Sequence, residues 1–99
     1  MSFNFESDPT KARRNRRKHG VSFEDAAELF LDPLAISVLD LEHSDTEERW
    51  VTIGRDRRGR ALVMIHTFQE RPGKEWKVRI ISARKATRRE AKQYEGLGL

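Results

Sequence analysis

The chain has 99 residues, of which 36% are hydrophobic and 36% are charged, so we expect one small domain with a thin core. It contains no cysteine, which excludes disulfide bonds, thiolate metal sites and a cysteine nucleophile. No apolar run approaches the ~20 residues of a membrane span, and the N-terminus lacks the features of a signal peptide. The composition therefore predicts a cytoplasmic protein without a membrane partner.

The net charge of +4 hides a strong segregation of charge along the chain. Residues 1–19 carry six Lys or Arg against two Asp or Glu, and residues 51–99 carry thirteen against five. Residues 20–50 reverse the balance, with one basic residue against nine acidic ones. This pattern predicts a basic surface formed by the N-terminal segment and the C-terminal half. Its expected partner is a polyanion, with nucleic acid first and an acidic protein second.

A short strand at residues 3–6 and a helix at residues 9–18 are predicted at the N-terminus. The Asp8 side chain can cap the free N–H groups of this helix, and a proline follows at the first helical position. Gly20 suits the left-handed residue that ends such a helix.

A second helix is predicted to begin after Ser22, which has capping-box spacing, and to end at Asp32 before a proline. Its apolar residues recur at the spacing of one helical stripe, which indicates a buried face. The predicted buried residues are Phe23, Ala26, Ala27 and Phe30.

From residue 34 onward the hydrophobic period changes to two, which predicts strands. They cover residues 34–39, 49–54, 61–68 and 76–83, and the third is the most apolar and is expected to be central. Thr87 and Glu90 have capping-box spacing and open a terminal helix. The predicted fold class is α+β, a single domain with an N-terminal strand and two helices followed by a four-stranded antiparallel sheet and a short C-terminal helix.

The first helix is the strongest functional signal, because it is cationic and almost free of apolar residues. Lys and Arg bind phosphate through charge, and Arg adds bidentate geometry. The helix therefore predicts binding of a polyanion, with a solvated face or a docking strip for an acidic partner as alternatives. The candidate phosphate-binding residues are Lys11, Arg13, Arg14 and Arg17.

Arg79 and Arg84 are candidate site residues on the last predicted strand. By alternation, Arg84 shares a face with Val78 and Ile80, and Arg79 lies on the opposite face. An Arg in so apolar a strand is costly to bury unless it is paired or reaches a ligand. Arg79 is therefore either a site residue or the partner of an acid such as Glu90.

His19 and His66 are the candidate proton-transfer residues, because imidazole changes its charge near neutral pH. Lys18 and the other cations around His19 favour the neutral imidazole, which is the form that a general base needs. His66 alternates with apolar residues, so a structural core residue is its competing interpretation. The acidic loop at residues 40–48 matches no known metal-ligand spacing, and neither a metal nor another cofactor is predicted.

Several segments together resemble the BrnT family, the ribonuclease toxins of bacterial type II toxin–antitoxin systems. Two of them are specific in combination: Lys-His-Gly-Val-Ser-Phe at residues 18–23 and Arg-Ile-Ile-Ser-Ala-Arg at residues 79–84. The resemblance extends from about residue 3 to residue 95, with Ser7 where the family often has Trp and a longer loop at residues 69–74. The remaining matches are Asp8-Pro9-x-Lys11, Asn15, Arg49-Trp50, Ile53-Gly54 and Thr87-Arg88-Arg89-Glu90.

This resemblance implies a RelE-like fold and metal-independent cleavage of RNA that arrests translation. It also implies a BrnA-type antitoxin, and operator DNA that is contacted through the toxin–antitoxin complex. On this basis we expect His19 to transfer the proton, with His66 as a reserve acid and RNA-binding residue. The residues expected to hold the RNA phosphate are Arg79, Arg84, Lys18 and Arg49.

Two other functions stay open at the level of sequence. The same basic surface could belong to a non-catalytic module that only holds RNA or DNA, or to a domain that docks an acidic protein. Salt-sensitive binding without cleavage would indicate the first, and indifference to nucleic acid would indicate the second.

Overall fold

The N-terminal strand and the first helix form as predicted. The computed structural model of the chain describes residues 2–43, 47–73 and 75–97. β1 (Ser2–Glu6) leads into α1 (Pro9–His19), where a carboxylate oxygen of Asp8 accepts a hydrogen bond from a backbone N–H at 2.9 Å. Gly20 ends the helix at φ 70°, a left-handed conformation that costs glycine little.

The second helix is shorter than predicted. α2 (Phe23–Ala27) is capped by the Ser22 hydroxyl, and a 3-10 turn (Glu28–Leu31) replaces its C-terminal half. Because a 3-10 helix has about three residues per turn, Leu29, three residues after the buried Ala26, faces the core. Leu29 is fully buried and Phe30 is only half-buried, a result that the helical spacing did not predict.

The remaining elements form a sheet and a terminal helix: β2 (Ile36–Leu39), β3 (Arg49–Arg55), β4 (Ala61–Thr67), β5 (Gln69–Arg71), β6 (Glu75–Lys85) and α3 (Arg88–Leu97). A further 3-10 turn lies at Leu41–His43. Across the described residues the sheet has six strands in the order β1-β6-β4-β3-β2, with β5 also paired to β6. The prediction of a four-stranded antiparallel sheet is therefore wrong. Its antiparallel part is present, with the apolar β4 lying between β3 and β6 as expected.

β1 makes the sheet mixed, because it pairs with β6 in parallel. In this register Phe3 lies opposite Trp76, and Phe5 lies opposite Val78. The ring of Phe3 also packs 5.0 Å from that of Phe30, between centroids. The alternation of β1 indicated a strand, but the identity of its partner depends on a contact between distant parts of the chain that no local pattern specifies.

The core lies between the helices and one face of the sheet, which we call the core face. Its buried residues come from the segment after α1, from α2 and its 3-10 turn, and from β4 and β6. They are Val21, Phe23, Ala26, Leu29, Leu62, Met64, Val78, Ile80 and Ala83. The one buried residue of α1 is Asn15, which confirms that this cationic helix does not build the apolar core.

A β-bulge in β6 decides which of its side chains share a face. The pairing of β4 with β6 shifts by one residue at Ile81, which has no partner of its own in β4. Alternation reverses at that point, so Ala83 is buried in the core together with Ile80. Arg84 then lies on the other face, with Arg79. The predicted faces of Ala83 and Arg84 are wrong, because alternation was counted through the bulge.

The side chain of Asn15 connects α1 to the backbone of β6. Its carbonyl oxygen accepts a hydrogen bond from the N–H of Ala83 at 3.1 Å, and its amide nitrogen donates to the Ala83 carbonyl at 2.8 Å. The same nitrogen donates to the carbonyl of Val21 at 3.0 Å. Because β1 pairs with β6 only as far as Arg79, Asn15 satisfies backbone groups of β6 beyond the end of β1.

We expect Asn15→Ala to lower the free energy of unfolding by about 3 kcal/mol, since buried backbone groups of Ala83 and Val21 would lose their partners. Urea denaturation measures this change. The matched control Asn4→Ala removes an exposed carboxamide from β1 and should cost less than about 0.5 kcal/mol. If Asn15→Ala cost no more than the control, this side chain would not be what holds α1 to the sheet.

Candidate nucleic-acid interface

The sheet face opposite the core, which we call the outer face, carries a row of polar groups at one end. Arg49 of β3 pairs with Thr67 of β4, and directly opposed residues lie on the same face. The Thr67 hydroxyl accepts a hydrogen bond from the backbone N–H of Arg79 at 3.2 Å, which continues the row onto β6. The structure therefore brings together two predicted site residues, and we call Arg49, Thr67 and Arg79 the arginine row.

Arg79 forms an ion pair with Glu47. The side chains of the two residues are 47% and 42% exposed, so the pair is open to solvent. The alternative that Arg79 pairs with an acid is correct, although the partner comes from the segment before β3. Because a phosphate binds a guanidinium in the same geometry as a carboxylate, an accessible pair of this kind can exchange its carboxylate for a phosphate.

Arg84 forms a bidentate ion pair with Glu90, with nitrogen–oxygen distances of 2.7 and 2.9 Å. The hydrogen bonds from Arg84 lower the pKa of the Glu90 carboxyl to about 2. Thr87 and Glu90 also exchange hydrogen bonds at 2.9 and 3.2 Å, which confirms the predicted capping box. Arg84 thus joins β6 to the first turn of α3, so this predicted site residue already has a structural partner.

The cations of α1 form an exposed strip along the helix, which we call the basic strip. They are Lys11, Arg13, Arg14, Arg16, Arg17 and Lys18. His19 is half-buried and lies one helical turn, about 5.4 Å, beyond Asn15. Within the described ranges the side chains of Lys18 and His19 make no hydrogen bond or ion pair, so neither kind of bond joins them to the arginine row.

His66 is a buried residue of the core face and is 1% exposed. One ring nitrogen is 2.7 Å from the hydroxyl oxygen of Thr52, and the other is 3.0 Å from the carbonyl oxygen of Thr67. Burial lowers the pKa of His66, which favours the neutral ring. Both ring nitrogens therefore have partners within the protein, and the expected roles of His66 as an RNA-binding residue and reserve acid stay predictions.

Three residues of this region had no assigned role at the level of sequence: Asn15, Glu47 and Thr67. Asn15 had a recognisable signal, since it is the one carboxamide in a cationic helix and its spacing from Ala12 and His19 marks the inward side. Glu47 had none, because it is one of several acids in an acidic loop. Its pairing with Arg79 depends on the antiparallel sheet.

The described residues contain no group of three or more His, Asp or Glu side chains that could hold a metal ion, and residues 44–46 of the acidic loop lie outside them. In the described part of this loop, a ring nitrogen of His43 is 2.9 Å from a carboxylate oxygen of Asp40. None of the described helices is long and apolar enough to cross a membrane.

The small α+β fold is that of a ribonuclease toxin, and comparison with known proteins shows this class. The family described as the ribonuclease toxin BrnT of type II toxin–antitoxin systems matches residues 8–90. The chain therefore belongs to the BrnT family, as the sequence resemblance indicated. Membership of this family implies RNA as the substrate and an antitoxin as the protein partner.

The fold is also similar to a solved structure of the same family. The crystal structure of the Brucella abortus ribonuclease toxin BrnT is 25% identical in sequence, with a TM-score of 0.60. The likeness covers 89% of this chain and 100% of the Brucella chain. No curated protein matches the chain.

We expect Glu90→Gln to destabilise the protein by about 1–2 kcal/mol at pH 7, a value reduced by the 38% exposure of its partner Arg84. The pKa of Glu90 is about 2 in the folded protein against an ordinary 4.5, so its ionised form stabilises the fold above pH 4.5. This stabilisation is lost as the pH falls from 4.5 towards 2. Urea denaturation across this range should show the two proteins converging.

The control Glu95→Gln removes a more exposed carboxylate from α3, whose side chain is 59% exposed beside Arg55. We expect this change to cost less than about 0.5 kcal/mol at any pH. A Glu90→Gln deficit that stayed constant between pH 7 and pH 2 would show that it comes from packing and not from the ion pair.

Proposed function

We propose that this toxin is a metal-independent endoribonuclease that uses the 2′-hydroxyl of RNA as its nucleophile and thereby arrests translation. The observation that carries the proposal is the arginine row: Arg49 of β3 lies opposite Thr67, and Arg79 of β6 donates its backbone N–H to the Thr67 hydroxyl, so both arginines lie on the outer face. Cleavage by an internal 2′-hydroxyl needs cationic donors around the phosphate, a proton acceptor and a proton donor. The first of these requirements is met by Arg49 and Arg79.

The reaction forms one bond and breaks one bond at phosphorus. The 2′-oxygen attacks phosphorus while its proton passes to an acceptor, and the bond to the 5′-oxygen breaks while that oxygen takes a proton. The products are a 2′,3′-cyclic phosphate and a free 5′-hydroxyl. Negative charge grows on the phosphate oxygens along this path, and Arg49 and Arg79 stabilise that charge through charge-assisted hydrogen bonds.

Glu47 is the proton acceptor that the geometry supports best, because its carboxylate already contacts Arg79. A carboxylate beside a phosphate-binding guanidinium is within reach of the 2′-hydroxyl next to that phosphate. His19 is the second candidate. It lies one turn beyond Asn15, whose side chain is bonded to Ala83, the neighbour of Arg84.

The basic strip gives the RNA a second set of contacts. Its cations are exposed, so they can neutralise several phosphates without regard to base sequence. The RNA backbone is held by Lys11, Arg13, Arg14 and Arg17 in this proposal. Arg84 and Lys18 contribute positive charge near the end of β6, and Arg84 remains paired to Glu90.

The protein partner in this proposal is a BrnA-type antitoxin that covers and silences the toxin. Operator DNA is contacted through the toxin–antitoxin complex and mainly by the antitoxin. We also propose that the protein has a RelE-like fold and is located in the cytoplasm. Both statements are supported by the family to which the chain belongs.

We expect Arg79→Ala to slow cleavage of naked RNA by about 10²–10³-fold, because it removes a charge-stabilising group from the transition state. The assay incubates antitoxin-free protein with RNA in EDTA and identifies the fragment ends. Arg58→Ala is the matched control, since Arg58 is an exposed arginine in the turn between β3 and β4. The control should cleave at the rate of the unchanged protein.

Three outcomes would contradict this proposal. If RNA stayed intact in EDTA and magnesium restored cleavage, the reaction would depend on a metal ion. If the fragments ended in 3′-hydroxyl groups, the 2′-hydroxyl would not be the nucleophile. Salt-sensitive RNA binding without cleavage under either condition would instead support the non-catalytic binding module.

We expect Glu47→Gln to slow cleavage by about 10²–10⁴-fold and His19→Ala to change it little, since only Glu47 contacts the arginine row. The two rates, measured in the same assay as a function of pH, separate the candidates. The reverse result would assign the proton transfer to His19. Full activity in both variants would mean that neither group accepts the proton.

A further inference from the structure

A cavity of about 340 Å³ lies on the core face beyond the part that the helices cover. This volume is within the range of about 300–1,000 Å³ that small-ligand sites occupy in proteins. Its walls are four aromatic side chains, Phe30, Trp50, Phe68 and Trp76, and the buried imidazole of His66 also lines it. The ribonuclease mechanism uses none of these rings.

The rings are arranged as flat walls. Phe68 and Trp76 stack with centroids 4.4 Å apart and planes within 4° of parallel. Phe30 lies nearly parallel to Phe68, at an angle of 10°, and His66 meets Phe30 edge-on at 5.2 Å. Parallel aromatic surfaces of this kind are the usual platforms on which proteins stack the unpaired bases of single-stranded RNA.

The polar groups of the cavity favour a base over an apolar side chain. Glu48 and Ser37 also line the cavity, and Glu48 brings a carboxylate to its exposed side. A carboxylate accepts hydrogen bonds, which a base can donate and an apolar occupant cannot.

A second cavity connects this pocket with the arginine row. It is lined by Glu47, Glu48, Thr67, Phe68 and Gln69, so it shares Glu48 and Phe68 with the aromatic pocket. Its other members include Glu47 and Thr67, the two groups that contact Arg79. A strand of RNA with its phosphate on Arg79 would therefore have the aromatic rings beside it, next to the shared residues Glu48 and Phe68.

We propose that the aromatic pocket holds one unpaired base of the RNA substrate and prefers guanine. Guanine presents two adjacent donors, its ring N–H and its exocyclic amine, which a carboxylate such as that of Glu48 accepts as a bidentate pair. The inference rests on the proposed ribonuclease function, and it predicts that the RNA is cleaved next to a guanine.

Intrinsic fluorescence reports this pocket directly, because both tryptophans of the chain line it. We expect 5′-GMP to quench the fluorescence saturably and to bind at least about tenfold more tightly than 5′-UMP, 5′-CMP or 5′-AMP. All four nucleotides carry the same phosphate, so the difference isolates the base. A free tryptophan derivative titrated in parallel corrects for collisional quenching.

Two variants test the assignment of residues. Glu48→Gln should abolish the preference for 5′-GMP, because an amide cannot accept from both guanine donors. Glu70→Gln is the matched control: Glu70 is exposed on β5 and lines neither cavity, so the preference should be unchanged. An equal affinity for the four nucleotides, or a preference that survives Glu48→Gln, would overturn the guanine assignment.

Saturable quenching by toluene with none by any nucleotide would also overturn the proposal, since the pocket would then accept an apolar side chain of a protein partner. Nucleotide binding requires no cleavage, so the two proposals fail separately. Binding of 5′-GMP without RNA cleavage would overturn only the ribonuclease mechanism. Cleavage without 5′-GMP binding would overturn only the pocket.

Discussion

The hydrogen bonds between Asn15 and Ala83 are the interaction on which the rest of the structure depends. β1 covers the side of β6 only as far as Arg79, and the carboxamide of Asn15 then takes the place of a neighbouring strand for one residue. Through the same side chain α1 is bonded to Val21, the first core residue after it. One neutral polar group therefore attaches a helix that has almost no apolar surface of its own.

The two faces of the sheet carry different kinds of residues. The core face takes the apolar residues of α2, β4 and β6, while the cations of α1 remain in solvent. On the outer face, Arg79 and Arg84 each have a carboxylate partner, Glu47 and Glu90 respectively. Of the two, the pair with Glu47 is the more exposed to solvent, and the bidentate pair with Glu90 joins β6 to α3.

Much of the fold was predictable because helix caps and turns have local chemical signals. Asp8, Gly20, Ser22 and the Thr87–Glu90 pair all act as their residue types and spacing indicated. Non-local features were not predictable. The parallel pairing of β1 joins distant parts of the chain. The 3-10 turn after α2 buries Leu29 in the core in place of Phe30.

The candidate site shows the same division between local and non-local signals. Arg79 was singled out as an arginine in an apolar strand, Arg49 came from the family resemblance, and the role of both in binding RNA stays a prediction. The sequence could not identify Glu47, whose pairing depends on strand register, or the burial of His66, whose environment is set by Thr52 and Thr67 from the sheet. A His in an apolar strand has the same local pattern whether it is buried or accessible.

The bulge at Ile81 has a genetic consequence. A gene copy that had lost only the codon for Ile81 would still encode every charged residue of the protein and would still resemble the family along its length. The alternation of β6 would then run without interruption, so that Ala83 and Arg84 could not both keep their present faces relative to Arg79. The loss of a single aliphatic residue would therefore change the faces of neighbouring side chains in β6, and a count of the arginines and histidines would not reveal the change.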